Sequence, residues 1–435
     1  MSDSGLQKVE SVGLVVLVVA YALVFIVRRL RRARPDFHIA LPLAIAVAIR
    51  LWAMASISST GLESTLRGGD ETTFLNLAHI LAATPWGHGF WPHGPYQLQT
   101  VVFAVQLKAL HSSVGAMRIT QVGIAITGVI LIAAAVHDLA GRRASRLAMW
   151  LLAFEPASIF FDSALYKEPM MELASGLVVF GATRIWLRLD VRGILICALG
   201  GLIAVETRSY AGWFLISAAV LVLLHASLRN LDRPMRAMPL IYAVVIALFI
   251  ATPVLLQLSS RSSLQRLQVS QNANATGAGE GTGGSNSDNL ALEQVNFSSR
   301  GAILQNLPKR IRDVILKPYP WQLADTSQRF GALGTLFAYA VLLLLLRYAW
   351  LSRGQVMARI APLLYPLLFL LMAYSLSAGN AGTAFRYRSH LVTLVVAIMA
   401  ILRETVLSRA RSSATAQEPE EFDPRAARRP AASAV

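Results

Sequence analysis

The stretch Ser11–Arg34, SVGLVVLVVAYALVFIVRRLRRAR, decides how the chain is read. Its first part, Ser11–Val27, is apolar and about as long as a helix must be to cross roughly 30 Å of hydrocarbon. Arg28, Arg29, Arg31, Arg32 and Arg34 follow at once. Cytoplasmic connections of membrane proteins collect Lys and Arg, so this cluster is expected inside and the short N-terminus outside. No small-residue cleavage site follows the apolar run, so it reads as a retained helix rather than a signal peptide.

Similar windows recur along nearly all of the 435 residues, of which 55% are hydrophobic and 15% charged. That composition excludes a water-soluble fold. It predicts an all-α, polytopic transmembrane bundle of about eleven helices. Signed from the arginine cluster, the crossings alternate. Phe37–Ile57 runs outward, Ile119–Val136 inward, Leu147–Phe161 outward and Pro169–Leu187 inward. Gly193–Val205, Tyr210–Leu224, Ala237–Leu256, Gly331–Leu346, Ile360–Ser377 and His390–Leu402 complete the series. The inward connections then hold Arg142, Arg143 and Arg146, then Arg188 and Arg192, then Arg229, Arg233 and Arg236, then Arg347, Arg353 and Arg359. A frame error of one helix would destroy that pattern. The expected location is the cell (plasma or inner) membrane, multi-pass, with the C-terminus cytoplasmic.

The net charge of +16 is explained by these connectors, and no RNA or DNA motif accompanies it, so no nucleic-acid partner is expected. A single cysteine, Cys197, excludes an intrachain disulfide. No P-loop, dinucleotide fingerprint, zinc signature or nucleophile elbow is present.

The expected organisation is an extra helix and basic connector over 1–36, then a core over 37–256 whose first outer loop is 58–118. A long outer loop over 257–330 follows, then C-terminal crossings over 331–403 and a disordered cytoplasmic tail over 404–435. The first outer loop carries two short helices expected along the membrane surface. In the long loop, Gln271–Asn289 is Asn/Gly/Ser-rich and predicts a flexible segment. Ala302–Lys317 places Ile303, Leu307, Ile311 and Val314 on one face, with Lys309, Arg310 and Arg312 elsewhere, and predicts an interfacial helix kinked at Pro308.

Four polar clusters fall on the outer face. The first is Gly68-Gly69-Asp70-Glu71, where Asp70 is expected to cap the helix that follows. The second is Asp162-Ser163-Ala164-Leu165-Tyr166-Lys167-Glu168-Pro169, a tight turn in which Glu168 is expected to cap and Pro169 to open the next helix. The third is Glu206-Thr207-Arg208-Ser209-Tyr210, and the fourth runs from Gly379 to His390 through Arg386-Tyr387-Arg388. Short outer loops are normally poor in arginine. Arg208, Arg386 and Arg388 break that rule, and an anion held at the outer surface accounts for them, because guanidinium groups bind phosphate bidentately. Headgroup snorkelling and capping are the plainer readings of the same residues. Arg50, inside a crossing, calls for a carboxylate or a polar cavity.

The order of these clusters resembles the GT-C glycosyltransferases, in particular the lipid A aminoarabinose transferase and protein O-mannosyltransferase group. Asp70-Glu71 with Phe74 and Ala78, the connector Gly141-Arg142-Arg143-Ala144 and the pair Glu168-Pro169 carry the resemblance over residues 60–190. The group has Asp at the position of Glu168. The resemblance implies a GT-C-like bundle and a sugar transfer, with inversion, from a polyprenyl-phosphate-linked donor to a cell-envelope glycan, lipid or protein acceptor. It implies Asp70 as general base and Glu71 or Glu168 as supporting carboxylate. Arg208, Arg386, Arg388, Lys167 and Tyr387 would bind the donor. A divalent ion (Mg or Mn) is the candidate cofactor, with Asp70 and Glu168 its candidate ligands, and membrane lipids are further partners. The alternative is a transporter or flippase of lipid-linked sugars, which would want the same outer arginines.

Overall fold

The computed structural model describes residues 3–59, 63–94, 96–230, 269, 292, 299–319, 321, 326–352 and 356–417. Among these the secondary structure is helical: α1 (Asp3–Ala33), α2 (Ala40–Ser59), α3 (Glu63–Ala83), α4 (Leu98–Leu110), α5 (Val114–Ala153), α6 (Pro156–Asp162) and α7 (Glu168–Arg188). Then come α8 (Val191–Thr207), α9 (Ser209–Arg229), α10 (Arg300–Leu316), α11 (Thr326–Ser352), α12 (Val356–Ser377) and α13 (Ala381–Gln417). Eight of them, α1, α2, α5, α7, α9, α11, α12 and α13, are long and apolar enough to cross a membrane. The chain is a multi-pass helical membrane protein. α8, with 17 residues, stands at the short limit for a crossing. The expected crossing Ala237–Leu256 and the flexible segment Gln271–Asn289 lie outside the described residues.

The bundle is built around α5, α7 and α13. Val122, Ile126, Val129, Ile130 and Ala133–Val136 of α5 are buried against them, whereas α1, α2 and α11 turn apolar faces outward, with Leu17, Tyr21, Trp52, Leu343 and Trp350 exposed. Exposed leucine and tryptophan on the rim, around an interior that also holds arginine and glutamate, is the arrangement a hydrocarbon solvent favours. α5 and α7 touch backbone to backbone. A Cβ at Gly128 would come within 2.5 Å of the Glu172 carbonyl, and one at Gly176 within 2.5 Å of the Gly128 carbonyl. Small residues at such a crossing let two helices pack without hydrophobic driving force.

Several boundaries differ from expectation. α5 joins two expected crossings through Gly141, whose φ of 79° lies in the region open to glycine and turns the chain between Ala140 and Arg142. The expected crossing Leu147–Phe161 is broken at Phe154. There Glu155 caps α6, accepting from Ala157 N at 3.2 Å and from Ser158 N, and Pro156 occupies the first turn. α3 begins at Glu63, so Gly68–Glu71 lie within the helix and Asp70 is not its cap. Packing of α3 on α4 outweighs a cost of about 1 kcal/mol per helical glycine. α13 continues to Gln417, past the tail boundary expected at Arg403. The amphipathic segment forms α10 with Pro308 inside it, but it docks on α12 and α13, and Arg310 is buried beside Leu307 and Val314 on one helical face.

Candidate functional site

The turn from Asp162 to Glu168, between α6 and α7, is where buried charge converges. Four arginines, from four parts of the bundle, hold it. Arg50, 0% exposed in the middle of α2, donates from Nε to Asp162 Oδ2 at 2.8 Å and also reaches the carbonyls of Ala46 and Leu152. Arg118 of α5 donates from Nε to Glu71 Oε1 at 2.8 Å, and the same oxygen accepts from Leu165 N at 3.4 Å. Glu168 takes two guanidinium groups at once. Arg208 donates from Nη2 to Oε1 at 2.6 Å, and Arg386 donates from Nε to Oε1 at 3.0 Å and from Nη2 to Oε2 at 3.3 Å. A charge at this depth persists only when paired, so these contacts match the charges that the turn brings into the bundle.

Aromatic rings complete the Glu168 cluster. The Arg208 guanidinium lies 4.6 Å from the Tyr387 ring and that of Arg386 4.8 Å from the Tyr166 ring, both within cation–π range. Tyr210 donates to the Tyr387 hydroxyl at 2.6 Å. His390 Nε2 stands 3.2 Å from the Glu168 carbonyl, and Tyr374 Oη stands 3.0 Å from Nδ1. A carbonyl only accepts, so Nε2 carries the proton, and a neutral ring leaves Nδ1 to accept from Tyr374. Two guanidinium groups against one carboxylate leave one net positive charge. Arg208 Nη1 is buried with no hydrogen-bond partner among the described residues. Chemically, a spare guanidinium charge and a spare donor are what binding an anion would require.

Of the residues singled out in the sequence, Glu168, Arg208, Arg386 and Tyr387 come together here, and Glu71 reaches the same turn through Leu165. Glu168 opens α7 but does not cap it, because its carboxylate is engaged by arginine instead. Lys167 lies with its Nζ 5.1 Å from the Phe74 ring of α3. Arg388 does not join the cluster. It donates to the Ile315 and Lys317 carbonyls at 3.1 and 3.2 Å and to Thr335 Oγ1 at 2.6 Å, satisfying the open C-terminal end of α10. The Asp70 side chain lies outside the described residues, although its backbone is helical and adjoins Glu71.

A divalent ion does not fit Glu168 as found. Both of its oxygens already face guanidinium groups, and no group of three His, Cys, Asp or Glu among the described residues could hold a metal. In the sequence, Asp162 and His390 were placed in polar clusters without a role for either, and Arg118 and Glu172 were not named. Arg118, at the head of an apolar helix, was a usable signal, since such an arginine requires a carboxylate. Glu172 sits one helical turn beyond Glu168. Its Oε2 accepts from Thr393 at 3.3 Å, and its Oε1 has no partner among the described residues.

No family model and no curated protein matches the chain. Two solved structures align with it. One is the archaeal oligosaccharyltransferase AglB from Archaeoglobus fulgidus in complex with an inhibitory peptide and a dolichol-phosphate, at 13% identity and a TM-score of 0.41. The other is the Archaeoglobus fulgidus oligosaccharyltransferase in the apo form, at 14% identity and a TM-score of 0.43. Each alignment covers 87% of this chain and 52% of the other, so the chain spans about half the length of the proteins it aligns with.

Proposed function

We propose that this protein is an integral membrane glycosyltransferase of the GT-C type. In this reading it moves a sugar, with inversion, from a polyprenyl-phosphate-linked donor to a cell-envelope glycan, lipid or protein at the outer membrane face. The observation that carries the reading is the Glu168 cluster, with its net positive charge and the unpartnered Arg208 Nη1. A lipid-linked phosphate is an anion confined to the membrane boundary, and forked donors suit its oxygens.

The chemistry follows from that placement. An acceptor hydroxyl attacks the anomeric carbon from the face opposite the phosphate, and the anomeric C–O bond to the phosphate breaks. Asp70 takes the hydroxyl proton, a contribution typically worth 10²–10⁴-fold. It is the carboxylate next in sequence to Glu71, whose side chain is fastened to Leu165 and Arg118. The departing phosphate gains charge, which Arg208 and Arg386 stabilise. Glu168 and Glu71 act as supporting carboxylates, the first orienting the two arginines and the second holding α3 against the turn. Lys167 and Tyr387 flank the same cluster and complete the donor site.

The test is transfer of a labelled sugar from polyprenyl-phosphate donor in proteoliposomes. Asp70→Asn should lower transfer by about 10²–10⁴-fold with unchanged expression and insertion. Full activity in that variant removes Asp70 as the base. Movement of intact donor across the bilayer without any transfer would instead establish the transporter reading.

A further inference from the structure

The opposite end of the bundle presents an open groove that the proposed reaction does not use. α7 begins at Glu168 and ends at Arg188, which lines a small cleft with Arg34 and Arg184. Beside that region, α5 beyond its Gly141 turn and the late part of α13 flank a groove of about 740 Å³. Arg143, Arg146 and Arg403 face it, and none of the three has a hydrogen bond, ion pair or ring contact among the described residues. The one acid in the groove, Glu404, is held by Arg411. The rest of the wall is apolar, with Leu147, Trp150 and Leu407. Arg146 also lines a neighbouring cavity with Arg31 and Arg142, so the positive surface is continuous with the N-terminal cluster.

Arginines that only set topology need no common target. Three unpaired guanidinium groups around one apolar-walled groove, at the end of membrane-crossing helices, match a ligand that is anionic at one end and hydrocarbon at the other. We infer that this groove binds the headgroup of an anionic glycerophospholipid, with the phosphate between Arg143, Arg146 and Arg403 and an acyl chain along Leu147, Trp150 and Leu407. Forked guanidinium donors suit the phosphate, and Trp150, one helical turn from Arg146, supplies the kind of ring that favours a headgroup boundary. The bound lipid would tie the second half of α5 to α13, two helices that also frame the Glu168 end.

Native mass spectrometry of the full-length protein in detergent, titrated with phosphatidylglycerol and with phosphatidylcholine of the same acyl chains, tests this. Phosphatidylglycerol should be retained in preference. Each of Arg143→Gln, Arg146→Gln and Arg403→Gln should weaken retention about fivefold, while Arg192→Gln, the same charge loss outside the groove, should leave it unchanged. Arg146→Lys, which keeps the charge for membrane insertion, should lose less than Arg146→Gln. Equal retention of the two lipids, or equal loss from Arg192→Gln, would overturn the proposal. So would displacement by inorganic phosphate at matched concentration, which would mark a site for soluble anions.

Discussion

The two ends of the bundle use arginine in opposite ways. At the Glu168 end, Arg50, Arg118, Arg208, Arg386 and Arg388 are all tied to named carboxylates, carbonyls or hydroxyls, and all but Arg386 are buried. At the other end, Arg28, Arg29, Arg32, Arg143 and Arg146 are exposed and make no bond among the described residues. Others at that end do have partners: Arg34 pairs with Asp138, Arg184 with Asp190 and Arg411 with Glu404, and Arg229, Arg359 and Arg409 donate to Trp186, Thr405 and Ser352. The difference follows from solvation. A guanidinium in water or among headgroups keeps its hydration and needs no partner, whereas one inside the bundle is stable only with its charge matched. A sequence rule that counts arginines treats the two populations alike, yet mutation should separate them sharply.

The largest stability effect is expected at Glu168. Glu168→Gln removes the charge on which Arg208 and Arg386 both depend, leaving the buried Arg208 and the half-buried Arg386 uncompensated, and breaking a buried pair from one side costs about 3–5 kcal/mol. Thermal unfolding in a fixed detergent measures it. A loss no larger than that of an exposed arginine would mean that the cluster is hydrated, and the contrast between the ends would collapse.

Arg50 comes next and offers a sharper version. Arg50→Met strands Asp162 and should cost a comparable roughly 3–5 kcal/mol. The double variant Arg50→Met, Asp162→Leu replaces the pair by apolar groups and should recover most of that loss, since such exchanges are often neutral or stabilising. Failure of the double variant to recover would show that Arg50 matters chiefly through the Ala46 and Leu152 carbonyls it also reaches.

Arg388 is expected to matter less. Its removal in Arg388→Gln opens the Ile315 and Lys317 carbonyls, costing about 1–3 kcal/mol through unmet acceptors. Hydrogen exchange should show the loss concentrated in α10. Uniform loosening of the bundle would place Arg388 with the Glu168 cluster after all, as its sequence neighbourhood suggested.

How much of this was legible in the sequence depended on the range of the interaction. The helical, multi-pass character was readable because hydrocarbon imposes it residue by residue over Ser11–Val27 and each later window. Arg208 and Arg386 were readable as exceptions to a local rule, and Glu168 as an acid opening a helix. Their separation into one carboxylate shared by two arginines was not, because it is set by how α7, α8 and α13 pack. Arg386 and Arg388 differ by two positions, which on a helix turns side chains some 200° apart. One faces Glu168 and the other faces α10. The start of α3 was misread at Asp70 because glycines normally weaken a helix, whereas packing on α4 carries this one through them.

The smallest effect is expected at Arg29, and it is the control on which the comparison rests. Arg29 is exposed in α1, directly after the apolar run, and its side chain makes no hydrogen bond, ion pair or ring contact among the described residues. Arg29→Gln should shift unfolding by less than about 0.5 kcal/mol, the usual size for a surface change away from any special feature. Its consequence should appear only in orientation, where four arginines of the cluster remain. Reporter fusions at the N-terminus should therefore read as in the parent protein. A Arg29→Gln variant that unfolded as readily as Arg50→Met would mean that the exposed arginines at this end have partners in the folded protein. The two ends would then differ in degree of burial rather than in kind.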